Sequence, residues 1–344
     1  MSPKVIVTTG CSYGIFYESL KKFIQTDKDK LKETELIIDL HSISMGATFQ
    51  TISIIESVDK LIKNGINPSD IFVLAEFSQI TRRDVIIANE FFVNQIDNTK
   101  ARGENNESNQ CLYPDVYNVR SSEKMESIAN DLRIKKFFAG DFPKFENYYI
   151  TSPENKILAD FPNKYLQPVF KNYSDSSNFR VENINIDVAG VETITRAFSY
   201  FQNILFVQQY LKMKGIKYKF CLMQNQFSLY NPSSFRQEIL QTLDVNGEHY
   251  LNQDYLNSKQ IWDISNPIKI IKDLIDWDSW WFYENKNKNI IWGGIDEYAI
   301  DKFGIKAFPK RNMANNMFHQ HPASFVYDSL IKDELMKEYF YDSN

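Results

Sequence analysis

Apolar and polar positions along the chain fall into two alternating periods, which predict strands wrapped by amphipathic helices. Val5, Ile6 and Val7 head a short run over Lys4 to Thr9 that reads as a strand, and Gly10 permits a sharp turn at its end. Phe16, Leu20, Phe23 and Ile24 recur at helical spacing, with Lys21 and Lys22 on the opposite, solvated face. A second strand is expected at Leu36 to Leu40. Ser42 to Phe49 reads as a loop centred on Gly46, and Ile52, Ile55, Val58, Leu61 and Ile62 mark a helix that Gly65 and Pro68 terminate. Ile71 to Ala75 is apolar without interruption, the signature of a strand buried on both faces of a parallel sheet.

Three strands separated by two helices make a βαβαβ pattern. The expected fold class is therefore α/β, with a doubly wound, mostly parallel sheet. Such a sheet gathers its functional loops at the carboxyl ends of its strands, here Gly10 to Ser12, Ser42 to Gly46 and Glu76 to Arg83. From about Ile86 to Val188 the periodicity gives way to aromatic and turn-forming residues, so 91–188 reads as an irregular insertion or lid within a domain built from 1–90 and 189–344. Regularity returns with the stripe Val191, Ile194, Phe198, Phe201 and Leu205, on a helix that Gly215 ends. A strand at Lys217 to Met223 follows, then a helix near Ile268 to Ile275, a short helix through Tyr298 and a last helix from about Ala323 to Phe340.

Composition narrows the classes. The 344 residues are 43% hydrophobic and 15% aromatic, enough for a large core. A net charge of −5 supplies no basic field, so neither nucleic acid nor an anionic membrane is an expected partner. The three cysteines, Cys11, Cys111 and Cys221, are widely spaced and form no metal-ligand motif, so no metal or other cofactor is expected. The chain carries neither a signal-like start nor an apolar run long enough to span a bilayer, and a cytoplasmic or virion-associated location is the corresponding expectation. Oligomeric state is not legible.

The candidate chemistry centres on Thr9-Gly10-Cys11-Ser12-Tyr13-Gly14. A serine on a turn between a strand and a helix is either a helix cap or a nucleophile, with backbone N–H groups and the helix N-terminus nearby to hold an oxyanion. A serine nucleophile needs a base. Of the four histidines, His41, His249, His319 and His321, the last stands beside Pro322 immediately before the final helix and is the best placed. Arg82 and Arg83 read as an ion pair or an anion contact. The aromatic run Trp277 to Tyr283 reads as core or as a sugar platform. Gly10 and Gly14 fit no phosphate-binding loop.

This arrangement resembles the SGNH (GDSL-type) hydrolase family, in the style of its phage and giant-virus members. Gly10-Cys11-Ser12 stands where the family has Gly-Asp-Ser, Gly46 in Met45-Gly46-Ala47-Thr48 looks like the second-block glycine, and His321-Pro322 resembles the fifth-block histidine. Phe72 to Ser78 followed by Arg82, and Trp292 to Tyr298, are similar to further segments of those members. The resemblance implies a flavodoxin-like three-layer sandwich. It further implies an esterase or acyl hydrolase acting on a small-molecule or glycan ester, with Ser12 as nucleophile, His321 as base and the N–H groups of Ser12 and Gly46 as oxyanion donors.

The departures are specific. Cys11 replaces the family's Asp, and no Gly-x-Asn-Asp follows the third strand, which leaves Ser78 as the nearest replacement donor. Phe318 occupies the position three before His321 where the family places its orienting Asp, and His319 is the remaining candidate to take that role. These losses leave a second expectation open, a catalytically inactive binding or structural protein on the same fold.

Overall fold

The computed structural model describes residues 3–10, 16–26, 34–41, 46–77, 80, 85–88, 115–118, 144–145, 148–151, 186–227, 260–263, 265–286, 290–308, 310–312, 317–318 and 322–340. Its centre is a sheet of four parallel strands, β1 (Val5–Gly10), β2 (Leu36–His41), β3 (Ile71–Phe77) and β8 (Lys217–Leu222), with β5 (Asp115–Asn118) added antiparallel along the free edge of β2. The spatial order is β5-β2-β1-β3-β8. The chain is thus an α/β protein with a mostly parallel sheet. β1 lies between β2 and β3, so the connection out of β1 runs to one side and the connection out of β2 returns across it. In open α/β sheets that reversal marks the crevice where ligands bind.

Period-two alternation sorts every central strand between two cores. Val5 and Val7, Leu36, Ile38 and Leu40, Ile71, Val73, Ala75 and Phe77, with Tyr218, Phe220 and Leu222, face one apolar layer. Ile6, Ile37, Phe72, Leu74 and Cys221 face the other. Helices α2 (Ala47–Lys63), α3 (Ile186–Lys214) and α4 (Asn266–Leu274) cover the first face. Helices α1 (Phe16–Thr26), α5 (Ile295–Phe303) and α6 (Ser324–Leu330) cover the second. Burial on both sides is why β1 and β3 are buried along their whole length. Polar side chains inside β1 are satisfied locally: Thr8 Oγ1 donates to Ile38 O and Thr9 Oγ1 to Leu40 O.

Two helices stop by the same device. Gly65 and Gly215 take φ of 86° and 69°, and the next residue donates back across the end, Ile66 N to Leu61 O and Ile216 N to Leu211 O. A left-handed residue here favours glycine, which is the punctuation the sequence carries. Helix α2 starts earlier than its apolar stripe suggests, with Gly46 as its N-cap and Ala47 as its first residue.

The last helix is interrupted. After α6 a π-turn occupies Ile331–Leu335, with Met336 N donating to Ile331 O, and a short α7 (Lys337–Phe340) follows. Within the stretch expected to be irregular, β5 joins the main sheet, and β7 (Tyr148–Thr151) pairs antiparallel with both β4 (Val85–Ala88) and β6 (Lys144–Phe145) in a small three-stranded sheet. Two hairpins, β9 (Tyr283–Asn285) with β10 (Ile290–Gly293) and β11 (Lys310–Asn312) with β12 (Met317–Phe318), complete the described elements. Among the described residues, no helix is long and apolar enough to cross a membrane.

Candidate functional site

The register of the sheet places four loops on one edge. Gly10 pairs level with His41 at the ends of β1 and β2, and Phe77 pairs level with Leu222 at the ends of β3 and β8. The connections leaving Gly10, His41, Phe77 and Leu222 therefore start from the carboxyl edge of the sheet. Those connections carry Ser12, Gly46, Ser78 and the segment Met223–Phe227. Ser12, Ser78, His319, His321, Cys11, Arg82 and Arg83 themselves lie outside the described residues.

The helices that follow Ser12 and His321 in the chain come together. Phe16 opens α1 four residues after Ser12, and its ring lies edge-on to Tyr327 in the first turns of α6, with centroids 6.4 Å apart. Lys22 on α1 pairs with Asp328 on α6. Ala323, two residues after His321, donates its N–H to Ala307 O at 2.7 Å, and Pro322 is buried. The start of α1 and the start of α6 thus lie side by side on one face of the sheet.

Gly46 is described, and it is the buried N-cap of a 17-residue helix with extended backbone, φ −94° and ψ −173°. The first turn of α2 leaves backbone N–H groups without an intrahelical partner and carries the positive end of the helix dipole. Gln50 ties this turn to the third strand by donating Nε2 to Glu76 O at 2.8 Å. Asn203 on α3 holds the same turn from outside by donating Nδ2 to Thr48 Oγ1, while Thr51 Oγ1 donates to Asn203 O.

The fourth loop was not legible as a site. Met223-Gln224-Asn225-Gln226-Phe227 is buried throughout, although three of its five side chains are amides. A buried loop must satisfy its polar groups internally. Asn225 N donates to Glu297 Oε1 at 3.0 Å, and Asn225 Oδ1 accepts from Phe227 N at 2.9 Å. Met223 O accepts from Asp296 N at 2.8 Å. Gln226 reaches to the end of β3, accepting from Ile80 N at 2.8 Å on Oε1 and donating Nε2 to Phe77 O at 3.4 Å.

Glu297 is fully buried and serves two donors at once. Its Oε2 accepts from Gly294 N at 2.7 Å, so the N3 side chain caps the N-cap backbone at the start of α5, while Oε1 takes Asn225. Glu76 at the end of β3 and Asp296 beside Glu297 are the other fully buried carboxylates of the described residues. Asp296 and Glu297 belong to the segment Trp292 to Tyr298 that the sequence singled out. Glu76 likewise belongs to the strand-end segment Phe72 to Ser78 that the sequence singled out. The Gln-Asn-Gln run was missed, although an amide-rich run directly after an apolar strand is a signal that could have found it.

The aromatic run forms part of the core. Trp280 stacks on Phe282 with centroids 5.6 Å apart and planes 2° apart, and Trp277, Trp262, Phe227 and Trp292 close around them. Trp292 departs from the rule for bulky residues, with φ of 59° in the left-handed region at an irregular point of the β9–β10 pairing. Among the described residues, no group of three or more His, Cys, Asp or Glu is placed to hold a metal ion.

Fold and edge together define an α/β protein with a mostly parallel sheet. Compared with models of protein families, with curated proteins and with solved structures, the chain gives no significant match.

Proposed function

We propose that the chain is an SGNH-like serine esterase or acyl hydrolase, acting on an ester or O-acylated glycan without a cofactor. The observation that carries this reading is the contact of Phe16 with Tyr327, because it sets the helix that follows Ser12 against the helix that follows His321. The common carboxyl edge of β1, β2 and β3, from which the loops bearing Ser12, Gly46 and Ser78 depart, supports it further.

In the reaction, Ser12 Oγ forms a bond to the carbonyl carbon of the ester as its proton passes to the His321 imidazole. The negative charge that develops on the carbonyl oxygen is held by the backbone N–H groups of Ser12 and Gly46 and by the Ser78 hydroxyl. Collapse breaks the bond to the leaving alcohol, which takes the proton from His321, and water repeats the sequence to release the acid and regenerate Ser12. His319 is the candidate to orient His321, since Phe318 offers no carboxylate.

The test is hydrolysis of a small aryl acetate by the full chain, together with labelling by a fluorophosphonate. Turnover and labelling that both disappear in Ser12→Ala support the reading. Turnover that survives this substitution unchanged, or a wild-type chain with neither activity, overturns it in favour of an inactive binding or structural protein.

A further inference from the structure

The end of β3 poses a local problem of hydrogen bonding. Phe77 is the last residue of the strand and offers a carbonyl, whereas Ile80, three residues on, is buried and offers an N–H. A single side chain that serves both must accept and donate at once. Carboxylates only accept, ammonium and guanidinium groups only donate, and an amide does both in fixed geometry. Gln226 is placed to do this, with Oε1 on Ile80 N at 2.8 Å and Nε2 toward Phe77 O at 3.4 Å.

From this geometry we infer that Gln226 is a positioning residue for Ser78, the proposed side-chain donor to the oxyanion. The inference rests on the hydrolase reading given above. The two bonds hold Phe77 and Ile80, the described residues that flank Ser78-Gln79 in the chain, by one group from the neighbouring strand's loop. Gln226 is itself held from behind. Asn225 N and Gly294 N both donate to the buried Glu297 carboxylate, which binds the loop after β8 to the start of α5. Asn225 Nδ2 adds a bond to Ile291 O at 3.3 Å. The chain of contacts from α5 to the end of β3 is continuous, and a donor delivered to an oxyanion gains from being fixed before the charge develops. An ångström of play in such a group is enough to lower turnover.

The test is a double-mutant cycle in the full chain, with kcat and KM measured on a small aryl acetate. Gln226→Met keeps the side chain's length and removes both bonds, and it is expected to lower kcat by about tenfold or more while KM stays within about twofold. Ser78→Ala is expected to lower kcat by at least as much. If Gln226 acts through Ser78, adding Gln226→Met to Ser78→Ala lowers kcat by no more than about threefold further. A Gln226→Met chain that keeps wild-type kcat, or losses that multiply fully in the double mutant, overturns the inference while Ser12-dependent hydrolysis by the wild type leaves the hydrolase reading standing. A wild-type chain without Ser12-dependent hydrolysis overturns both. Should Gln226→Met fail to fold, Gln226→Glu, which keeps the acceptor for Ile80 N, carries the same cycle with the same outcomes.

Discussion

A Cβ placed on Gly294 would lie 2.4 Å from the carbonyl oxygen of Leu222, the last residue of β8. The contact is between backbones, with Gln224 N at 2.6 Å and Met223 C at 2.7 Å on the same side, so no flexible side chain can move aside. The start of α5 is thereby seated directly on the end of the central sheet, and this closeness lets Glu297 reach both Gly294 N and Asn225 N.

Gly294→Ala is therefore expected to destabilise the chain by about 3 kcal/mol, as overpacking against unyielding backbone does. Gly215→Ala is the control, since its φ of 69° strains any side chain but nothing lies within 4 Å of the added methyl. That substitution should cost only about 1 to 2 kcal/mol, the left-handed penalty alone. Urea denaturation of the two variants side by side checks the order.

The contact between Phe16 and Tyr327 makes a second prediction. Phe16 is fully buried beside α6, and Phe16→Ala should cost about 3 to 5 kcal/mol by removing its packing and leaving a cavity. In a double-mutant cycle with Tyr327→Leu, the edge-to-face pair should account for about 0.5 to 1.5 kcal/mol of coupling. Phe16→Leu, which retains bulk, should keep most of the stability.

Much of the frame was legible because strand and helix periods are strong where both faces of a strand are buried. Ile71 to Ala75 announced β3, Gly65 and Gly215 announced two helix ends, and the strand–helix alternation announced the α/β class with its parallel sheet. The edge strand β5 was not legible, since four residues from a polar stretch pair with β2 through backbone groups that no side-chain pattern reveals. The π-turn at Ile331–Leu335 was hidden for the same reason, as its apolar residues keep a helical spacing through the insertion. At the candidate site, sequence order pointed to Ser12, Gly46, Ser78 and His321 but said nothing of the loop after β8. Gln226 and Glu297 act across the sheet edge, at separations of 146 and 72 residues from Ile80 and Asn225, and only the fold brings them together.

Trp292 sets strain against packing. Its φ of 59° is worth about 1 to 2 kcal/mol of steric cost for a residue with a side chain, and Trp292→Gly would relieve it. The same change removes a ring that meets Phe282 at 4.8 Å and both Trp262 and Trp277 at 5.4 Å. Loss of a packed aromatic costs about 3 to 5 kcal/mol when fully buried, and Trp292 is partly buried. Packing wins on these magnitudes, so Trp292→Gly should lower the thermal midpoint. A raised midpoint would mean that strain dominates.

Asp276 and the tyrosines raised by burial, Tyr339 among them, set opposite limits on stability with pH. Asp276 is pushed up by burial, but hydrogen bonds from Lys212, Ser279 and Tyr218 outweigh that and hold its carboxyl below the ordinary 3.8. A depressed folded value means that its contribution is complete above the unfolded value and is lost as pH falls through the folded one. Tyr339 is the reverse case. Burial, reinforced by the charge of Glu338, lifts its hydroxyl from 10.0 to about 12. Its contribution is complete below the unfolded value and is lost as pH rises from there through the folded one. Denaturation midpoints measured across pH should therefore fall below about pH 4, with Asp276→Asn flattening that limb, and fall again above about pH 10. Tyr339→Phe should flatten the alkaline limb while keeping the ring 5.6 Å from Phe72, so its midpoint near neutral pH should stay close to wild type. An alkaline limb that persists unchanged in Tyr339→Phe would assign that loss to the other tyrosines raised by burial, Tyr210, Tyr218, Tyr283 and Tyr298.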